Sequence, residues 1–346
     1  MKKTLVAVAA MAAVTGAMAD VTIGGNIDQS YSSTKLNSAV KTTTIGGSGA
    51  SNALGETFIN FKGNEDLGGG LKASFTMEQQ ILNNGATFGG ANREGWVGLS
   101  GAFGNVQLGT QYAPMFSYVA AGTDPNGVSQ GVGMGWATMG TVAIGGGNQT
   151  IGYTLPSLMT GLNIQLAIKK GGTNSVGTTV AGDGSGSAIS YTTGPFTVGY
   201  GTDTTKNTAL QFNTPTELAS AASDANTVAA ASTTSPLKKS ATGISYNAGF
   251  ATLSYLGAKA ALAGDSVKST TYAVGVPFGA TNVGYSTSTG TVSDGGVESK
   301  YKSSQLQVTY ALSKRTRAYF QSGSFSASSG TADKLSQQGV GIAHSF

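Results

Sequence analysis

Apolar and polar residues alternate over short segments along most of the chain. In residues 71–78, Ala73, Phe75 and Met77 share one parity, while a lysine, a serine, a threonine and a glutamate share the other. A period of two is typical of a β-strand with one apolar face and one wet face. Five such segments precede residue 113, and eleven follow it, at 148–155, 162–170, 187–193, 196–204, 241–247, 249–258, 270–277, 279–288, 303–312, 315–326 and 336–346. The pattern therefore predicts sixteen strands.

The connections between these segments alternate in length. Short ones such as 193–195 and 312–314 are followed by long polar ones, of which residues 29 to about 52 form the first and 205–240 another. This asymmetry is typical of outer-membrane barrels, whose short periplasmic turns alternate with longer extracellular loops. With about 10 residues in each strand, sixteen strands leave roughly half of the chain for connections. We therefore predict an all-β membrane protein, a 16-stranded antiparallel transmembrane β-barrel in residues 20–346.

One connection, residues 113–147, differs from the others. It has 35 residues, nine glycines and a single charged side chain, Asp124, together with apolar side chains such as Met115 and Trp136. So long a structureless connection is uncommon in a compact domain unless it is functional, and its composition does not suit a free linker. We expect this loop to fold back inside the barrel and to narrow the lumen.

The N-terminus has the features of a secretory signal peptide. Two lysines precede an apolar run over 5–14, and small residues at Ala17 and Ala19 form a cleavage site. A membrane anchor is the alternative, but an anchor needs about 20 apolar residues. We expect cleavage near Ala19. The mature chain, 20–346, then keeps 20 − 2 = 18 Lys and Arg against 16 Asp and Glu, a balance that does not favour nucleic-acid binding.

Composition narrows the fold class and argues against enzymatic chemistry. Charged residues are 10% of the chain, against roughly 25% in soluble domains, and no mature apolar run is long enough for a spanning helix. A barrel with lipid-facing apolar and lumen-facing polar residues tolerates this balance. There is no cysteine, and the single histidine, His344, shares the outward parity of Val340 and Ile342. We therefore expect no catalytic triad, no metal site and no cofactor.

Four stretches carry a resemblance to a known family. They are the hairpin 60–73, the strand 92–99, the turn 310–316 and the closing segment 339–346, which read NFKGNEDLGGGLKA, NREGWVGL, YALSKRT and GVGIAHSF. Together, and in the same order, they resemble the β-proteobacterial, neisserial-type trimeric general porins over the whole mature chain. The resemblance implies a homotrimer in the Gram-negative outer membrane that passes small hydrophilic solutes by passive diffusion. It also implies contacts with outer-membrane lipids and with the barrel-assembly machinery, which reads the terminal Phe346.

The resemblance further implies charged side chains at a pore constriction. Position by position, Arg93 matches the family's arginine on the fourth strand and Glu78 its glutamate on the third, and both lie on the polar parity assigned to the lumen. Asp124 is the only acidic residue in the loop 113–147, and it is therefore the candidate for the loop carboxylate. Arg317 is a further candidate on the wall.

Two departures from the family weaken the expected field across the pore. The family commonly has an arginine where this chain has Phe58, and another where it has Gln107. Because charged rings select ions at a constriction, we expect weak ion selectivity. The slight positive balance of the mature chain favours a slight preference for anions.

Other roles stay open for the same residues. Arg93 and Glu78 suit any wet position in a barrel, Asp124 suits a turn beside Pro125, and Arg317 suits a general wall charge. Three aromatic residues suit the girdles at the bilayer interfaces: Trp96, Tyr112 and Phe346.

Two other functions also stay open. A substrate-specific channel would use aromatic side chains such as Tyr118 and Trp136 to stack on one solute. A surface interaction or structural barrel would present its long loops to partners and conduct little.

Overall fold

The computed structural model describes residues 20–37, 41–46, 57–82, 87–121, 147–173, 179–180, 182–212, 226–229, 235–327 and 334–346. The predicted signal peptide, 1–19, and the candidate Asp124 lie outside these residues. Within them, no helix combines the length and apolarity that crossing a membrane requires.

Almost all of the described chain is β-structure. The first half holds β1 (Asp20–Leu36), β2 (Lys41–Gly46), β3 (Phe58–Gly68), β4 (Leu71–Leu82), β5 (Thr87–Gly101), β6 (Gly104–Gln111), β7 (Gly147–Thr154), β8 (Leu162–Lys169), β9 (Gly172–Thr173), β10 (Thr179–Val180) and β11 (Gly184–Thr193). The second half holds β12 (Phe196–Thr205), β13 (Leu210–Phe212), β14 (Asn226–Ala229), β15 (Leu237–Asn247), β16 (Thr252–Leu262), β17 (Asp265–Phe278), β18 (Thr281–Asp294), β19 (Val297–Ala311), β20 (Thr316–Ala327) and β21 (Lys334–Ser345).

Seventeen of these strands form one closed antiparallel sheet. β2 and β3 lie end to end along the same side of β1, β2 beside residues 30–35 and β3 beside residues 20–26. They therefore count as one wall strand, and the described barrel has sixteen. The seam closes where β21 pairs with β1, and Gly25 and Phe346 exchange two backbone hydrogen bonds there, of 3.2 and 3.1 Å. The predicted 16-stranded antiparallel barrel is confirmed.

The connections at one end of the barrel are short, as predicted, but several connections at the other end differ from the prediction. β3 and β4 join at one end through Gly69 and Gly70, whose φ angles of 63° and 81° favour glycine. At the other end, two connections expected to be long are tight, since only residues 263–264 and 295–296 join their strands. The expected first loop, from residue 29, instead contains the end of β1 and all of β2. In these three regions the alternation of side chains continues beyond the predicted strand ends, and pairing with the neighbouring strands extends the barrel wall.

Exposure alternates along the wall strands. On β17, Tyr272 and Val276 are exposed, whereas Ser269 is buried. On β19, Leu306 is exposed and Gln305 is buried. The apolar parity faces outward and the mainly polar parity faces the lumen, which is the arrangement that a barrel in lipid requires.

Aromatic side chains pair across strands on the outer face. The rings of Tyr255 and Tyr272 lie 5.6 Å apart, and Phe196 and Tyr246 form a second pair at 4.6 Å. Phe346 also lies on the outer face, where its ring covers Gly25. Such aromatics suit the bilayer interfaces. The girdle positions expected for Trp96 and Tyr112 are wrong, because both side chains belong to the lumen-facing cluster described below.

The beginning of the 113–147 connection lies inside the barrel. A π-helical turn, Phe116–Ala120, follows β6 and contacts β11, β12 and β15. Met115 and Val119 are fully buried. This contact agrees with the inward fold expected for the connection. The throat itself stays a prediction, since residues 122–146 lie outside the described part of the chain.

Glycines on the lumen face of β12 make this close contact possible. A Cβ added at Gly201 would lie 2.9 Å from the Cα and Cβ of Met115. One added at Gly199 would lie 2.9 Å from the carbonyl oxygen of Tyr118. A larger side chain at either position would push the inward segment away from the wall.

An apolar cluster also lies on the lumen side, where alternation predicts polar residues. Its fully or almost fully buried members include Leu262, Phe325 and Leu335, and it continues to Met115. Leu210, from the β13–β14 hairpin, is buried in the same cluster. The connection 205–240, expected to be a long polar loop, therefore places at least this side chain in the apolar cluster on the lumen side. Apolar burial holds the inward segments in place.

Candidate functional site

Arg93 and Glu78 form an ion pair on the lumen side of β4 and β5. The Nε atom of Arg93 donates a hydrogen bond to Oε1 of Glu78 at 2.5 Å. Glu78 is nearly buried, with 8% of its side chain exposed, and Arg93 keeps 23%. The amide of Asn60 donates a second hydrogen bond to Oε2 of Glu78, at 3.2 Å. Two of the predicted site residues are thus in direct contact.

A β-bulge brings Arg93 to this position. In strict alternation, Arg93 would share the outward parity of Val97 and Leu99, which are exposed. The prediction that its parity is polar was therefore wrong. The pairing of β4 with β5 shifts between Glu78 and the next residue, which leaves Arg93 as the extra residue. Bulges re-aim side chains in this way, frequently beside functional sites.

Two aromatic rings hold the guanidinium group. The Cζ atom of Arg93 lies 5.2 Å from the ring centroid of Phe58 and 5.8 Å from that of Tyr112. Both distances suit cation–π attraction. Tyr112 follows the end of β6, and burial raises the pKa of its phenol to about 12, so the ring carries no charge at physiological pH. Phe58, at the position where the resemblance implies an arginine, thus contacts Arg93.

A second carboxylate belongs to the same cluster. Glu94 lies directly opposite Glu78 in the strand register, and its Oε1 accepts a hydrogen bond from Nε1 of Trp96 at 3.2 Å. Sequence reasoning missed Glu94, although it lies next to Arg93. Together, Arg93, Glu78 and Glu94 carry a formal charge of +1 − 2 = −1. We refer to these three residues as the Arg93 cluster.

The other predicted site residues lie apart from the Arg93 cluster or outside the described residues. Gln107 is on the lumen face of β6, where its carbonyl oxygen accepts a hydrogen bond from the Gln111 amide at 3.3 Å. Arg317 is the second residue of β20 and shares the lumen parity of Tyr319. It is exposed near the β19–β20 turn, at the end where β3 and β4 join. Asp124 is not among the described residues.

A second charged cluster was not predicted. The ammonium group of Lys169 on β8 donates a hydrogen bond to the carboxylate of Asp203 on β12, and both side chains are buried. Lys239 on β15 lies directly opposite Asp203 in the register. We call these three residues the Lys169 cluster, and their formal charge is +2 − 1 = +1. Lys169 shares the lumen parity of Gln165, a signal that the sequence already contained.

Comparison with known proteins points to one family. A family model described as Gram-negative porin matches residues 7–330. The major outer membrane protein P.IB of Neisseria meningitidis serogroup B is 39% identical over 112 residues, and outer membrane porin protein 32 of Delftia acidovorans is 40% identical over 119 residues. These alignments span 32% and 33% of this chain and 33% of each relative. The chain thus aligns with about a third of the length of these curated relatives.

Solved structures share the barrel itself. An anion-selective porin from Comamonas acidovorans superposes with a TM-score of 0.74 at 23% identity, covering 95% of this chain and 100% of that one. The outer membrane protein OmpT of Vibrio cholerae gives a TM-score of 0.68 at 14% identity, covering 95% and 98%. At such identities, the likeness shows the fold alone. The relatives are porins and outer membrane proteins rather than enzymes, in agreement with the expectation from the sequence. Because the family model covers most of the chain and the sixteen wall strands close as in solved porins, this protein belongs to the Gram-negative porin family.

Proposed function

We propose that this protein forms a water-filled pore through which small hydrophilic solutes and ions diffuse passively. The observation that carries the proposal is the closed barrel whose lumen parity is mainly polar and whose outer parity is apolar. An apolar exterior suits lipid, and a polar interior suits water. Membership of the Gram-negative porin family and the outer-membrane location that goes with it support the same function.

The Arg93 cluster is the proposed wall side of the pore constriction. Asp124 is the proposed carboxylate on the opposing loop, and Gln107 and Arg317 are proposed as further lumen-lining residues. The support for this assignment is the Arg93–Glu78 contact at 2.5 Å, together with the inward course of residues 113–121 toward the facing wall.

Weak selectivity follows from the charges that line this pore. The Arg93 cluster carries −1 and the Lys169 cluster +1, so neither sign dominates between them. We propose a slight preference for anions, because the mature chain has a formal net charge of 18 − 16 = +2. One solved neighbour of the same fold is described as an anion-selective porin.

Planar-bilayer recording tests the proposal. Reconstituted protein should give steady open channels in KCl, with a small reversal potential of the anion-selective sign under a salt gradient. Strong cation selectivity would contradict the proposed preference for anions. A silent barrel would refute the pore and favour a surface interaction role, whereas concentration-dependent block by one solute would favour a substrate-specific channel.

We also infer the assembly and maturation of the protein from its family. The proposed state is a homotrimer of chains that begin at Asp20, inserted by the barrel-assembly machinery through recognition of Phe346. Mass measurement of the detergent-extracted protein checks both features. A subunit mass that retains residues 1–19, or a monomeric assembly under mild extraction, would contradict this inference.

A further inference from the structure

An open groove of about 640 Å³ crosses the wall from β17 to β21. Ten of the twelve residues that line it carry a hydroxyl or an ammonium group, although carbon atoms supply most of the lining surface. The ammonium groups belong to Lys268, Lys300, Lys302 and Lys334. These lysines come from β17, β19 and β21. Strand pairing therefore gathers positive charges from residues that are far apart in the sequence.

The groove lies on the outer face of the barrel. Lys268 shares the parity of Tyr272, which is 57% exposed, and Lys302 shares the parity of Leu306. Lys334 shares the parity of Val340, which is 52% exposed. All four lysines of the groove are themselves exposed. Their ammonium groups therefore point away from the lumen and take no part in lining the pore.

The strand register places the four lysines in two pairs, and each pair flanks one small hydroxyl side chain. Thr291 lies opposite Lys268 on one side and opposite Lys300 on the other. Ser326 lies in the same way between Lys302 and Lys334. Because neighbouring strands are about 4.8 Å apart, the two lysines of each set are roughly 10 Å apart at the backbone. Two extended lysine side chains can therefore both reach one anion bound between them.

The same face gathers still more positive charge. Lys259 on β16 lies directly opposite Lys268 and is exposed. Like charges placed directly opposite in a sheet destabilise it. Glu298 lies on the outward parity of β19, two residues from Lys300, and supplies some negative charge. Positive charge still predominates, and a bound anion would relieve the repulsion.

The groove lies just beyond the apolar band of the wall. Lys268 is four residues beyond Tyr272, and Lys302 is four residues beyond Leu306, toward the end opposite the β3–β4 turn. Four residues span roughly 13 Å along a strand, and a strand tilt of about 40° reduces the rise to about 10 Å. Lipid headgroups occupy this level on the outer side of a bilayer.

We propose that this groove binds the phosphate group of an anionic lipid in the outer leaflet. Ammonium groups form strong charge-assisted hydrogen bonds with phosphate oxygens, and the hydroxyls of Thr291 and Ser326 add donors between them. Lysine stems lie along apolar surface while their charged ends reach the headgroups. Because the groove opens sideways at headgroup level, a lipid phosphate fits its position better than an acidic peptide in solution.

Native mass spectrometry of the detergent-purified protein tests this binding. We expect dilauroyl phosphatidic acid to bind more tightly than dilauroyl phosphatidylcholine. The variant Lys300→Gln/Lys302→Gln should lose about 25-fold in affinity for phosphatidic acid, since each lysine near an anionic headgroup contributes about fivefold. Glu298→Gln should bind phosphatidic acid more tightly than the unmodified protein.

A matched control removes the same charge elsewhere. Lys62→Gln/Lys72→Gln alters two exposed lumen-parity lysines of β3 and β4 near the short-turn end, and it should bind phosphatidic acid like the unmodified protein. Equal losses in both double variants would overturn the proposal, because they would indicate unspecific attraction. So would displacement of the lipid by millimolar inorganic phosphate or by an acidic peptide.

Two further measurements keep the test decisive. If the double variant fails to fold, as judged by heat-modifiable gel mobility, Lys302→Gln and Glu298→Gln alone must shift affinity in opposite directions, or the proposal fails. Channel conductance of Lys302→Gln should match that of the unmodified protein, because the groove faces away from the lumen. Lipid binding and pore function are thereby tested separately.

Discussion

Replacing Arg93 by alanine should shift the pore toward cations. Arg93 contacts Glu78 at 2.5 Å, and Glu94 lies opposite Glu78 in the register. Loss of the guanidinium group changes the formal charge of the Arg93 cluster from −1 to −2. A cation that passes this wall then meets a more attractive potential, and an anion meets a more repulsive one.

The size of this shift can be worked from Coulomb's law. An ion passing about 6 Å from one unit charge in water feels roughly 0.7 kcal/mol. At 0.1 M salt the Debye length is about 10 Å, which reduces this energy to about 0.4 kcal/mol. Such an energy changes the permeability of each ion about twofold, in opposite directions for cations and anions. The ratio of cation to anion permeability should therefore rise about fourfold.

Reversal potentials in KCl gradients measure this ratio. The shift should shrink in a gradient centred near 1 M KCl, where the Debye length is only about 3 Å. Glu78→Gln should move the reversal potential in the opposite direction, and Arg93→Lys, which keeps the charge, should leave it close to the unmodified value. An unchanged potential in a correctly folded Arg93→Ala pore would refute the reasoning and remove Arg93 from the constriction.

Three other substitutions probe the inward segment, the second charged cluster and the closing strand. Gly201→Val should push Met115 from the wall, where a Cβ would lie at 2.9 Å, and single-channel noise should increase. Asp203→Asn should lower the free energy of unfolding by about 3 kcal/mol in urea titration, because it leaves the buried Lys169 without its carboxylate. Phe346→Ala should lower the amount of assembled barrel in cells severalfold, while refolding in detergent stays efficient because the backbone bonds of the seam remain.

Each of these three substitutions has its own control or contradicting outcome. Thr202→Val, on the outward parity beside Gly201, should leave the channel noise unchanged, and equal noise in both variants would contradict the packing argument. Lys238→Gln, an exposed change on β15, should not alter stability in urea, and an Asp203→Asn barrel as stable as the unmodified one would show that the buried pair contributes little. Equal amounts of assembled protein with and without the Phe346 ring would contradict a sorting role for that residue.

The strand count was predictable because alternation is a local property. Any segment such as 270–277 shows its two faces without reference to its neighbours, and a period of two admits few alternatives. The lumen parity of Glu78 and Gln107 followed in the same way. The positions of the tight turns at 263–264 and 295–296 did not, because polar alternation there reads equally well as a loop.

Other features depend on register, which local patterns do not contain. The bulge that turns Arg93 inward arises from the pairing of β4 with β5, and strict alternation gave the side chain the opposite face. The contact between Lys169 and Asp203 joins two strands with β11 between them. The lumen position of Tyr112 depends on where the chain leaves β6.

The sequence by itself determined that this chain forms a barrel of sixteen wall strands with an apolar exterior, because side-chain parity repeats within each strand. The tertiary structure decided which charges meet, because only barrel closure and strand register bring distant residues together. It also decided where apolar side chains such as Phe325 and Leu335 pack inside the lumen wall. These side chains are buried against inward segments by contacts across the barrel, and the alternation of residues along the chain does not predict such contacts.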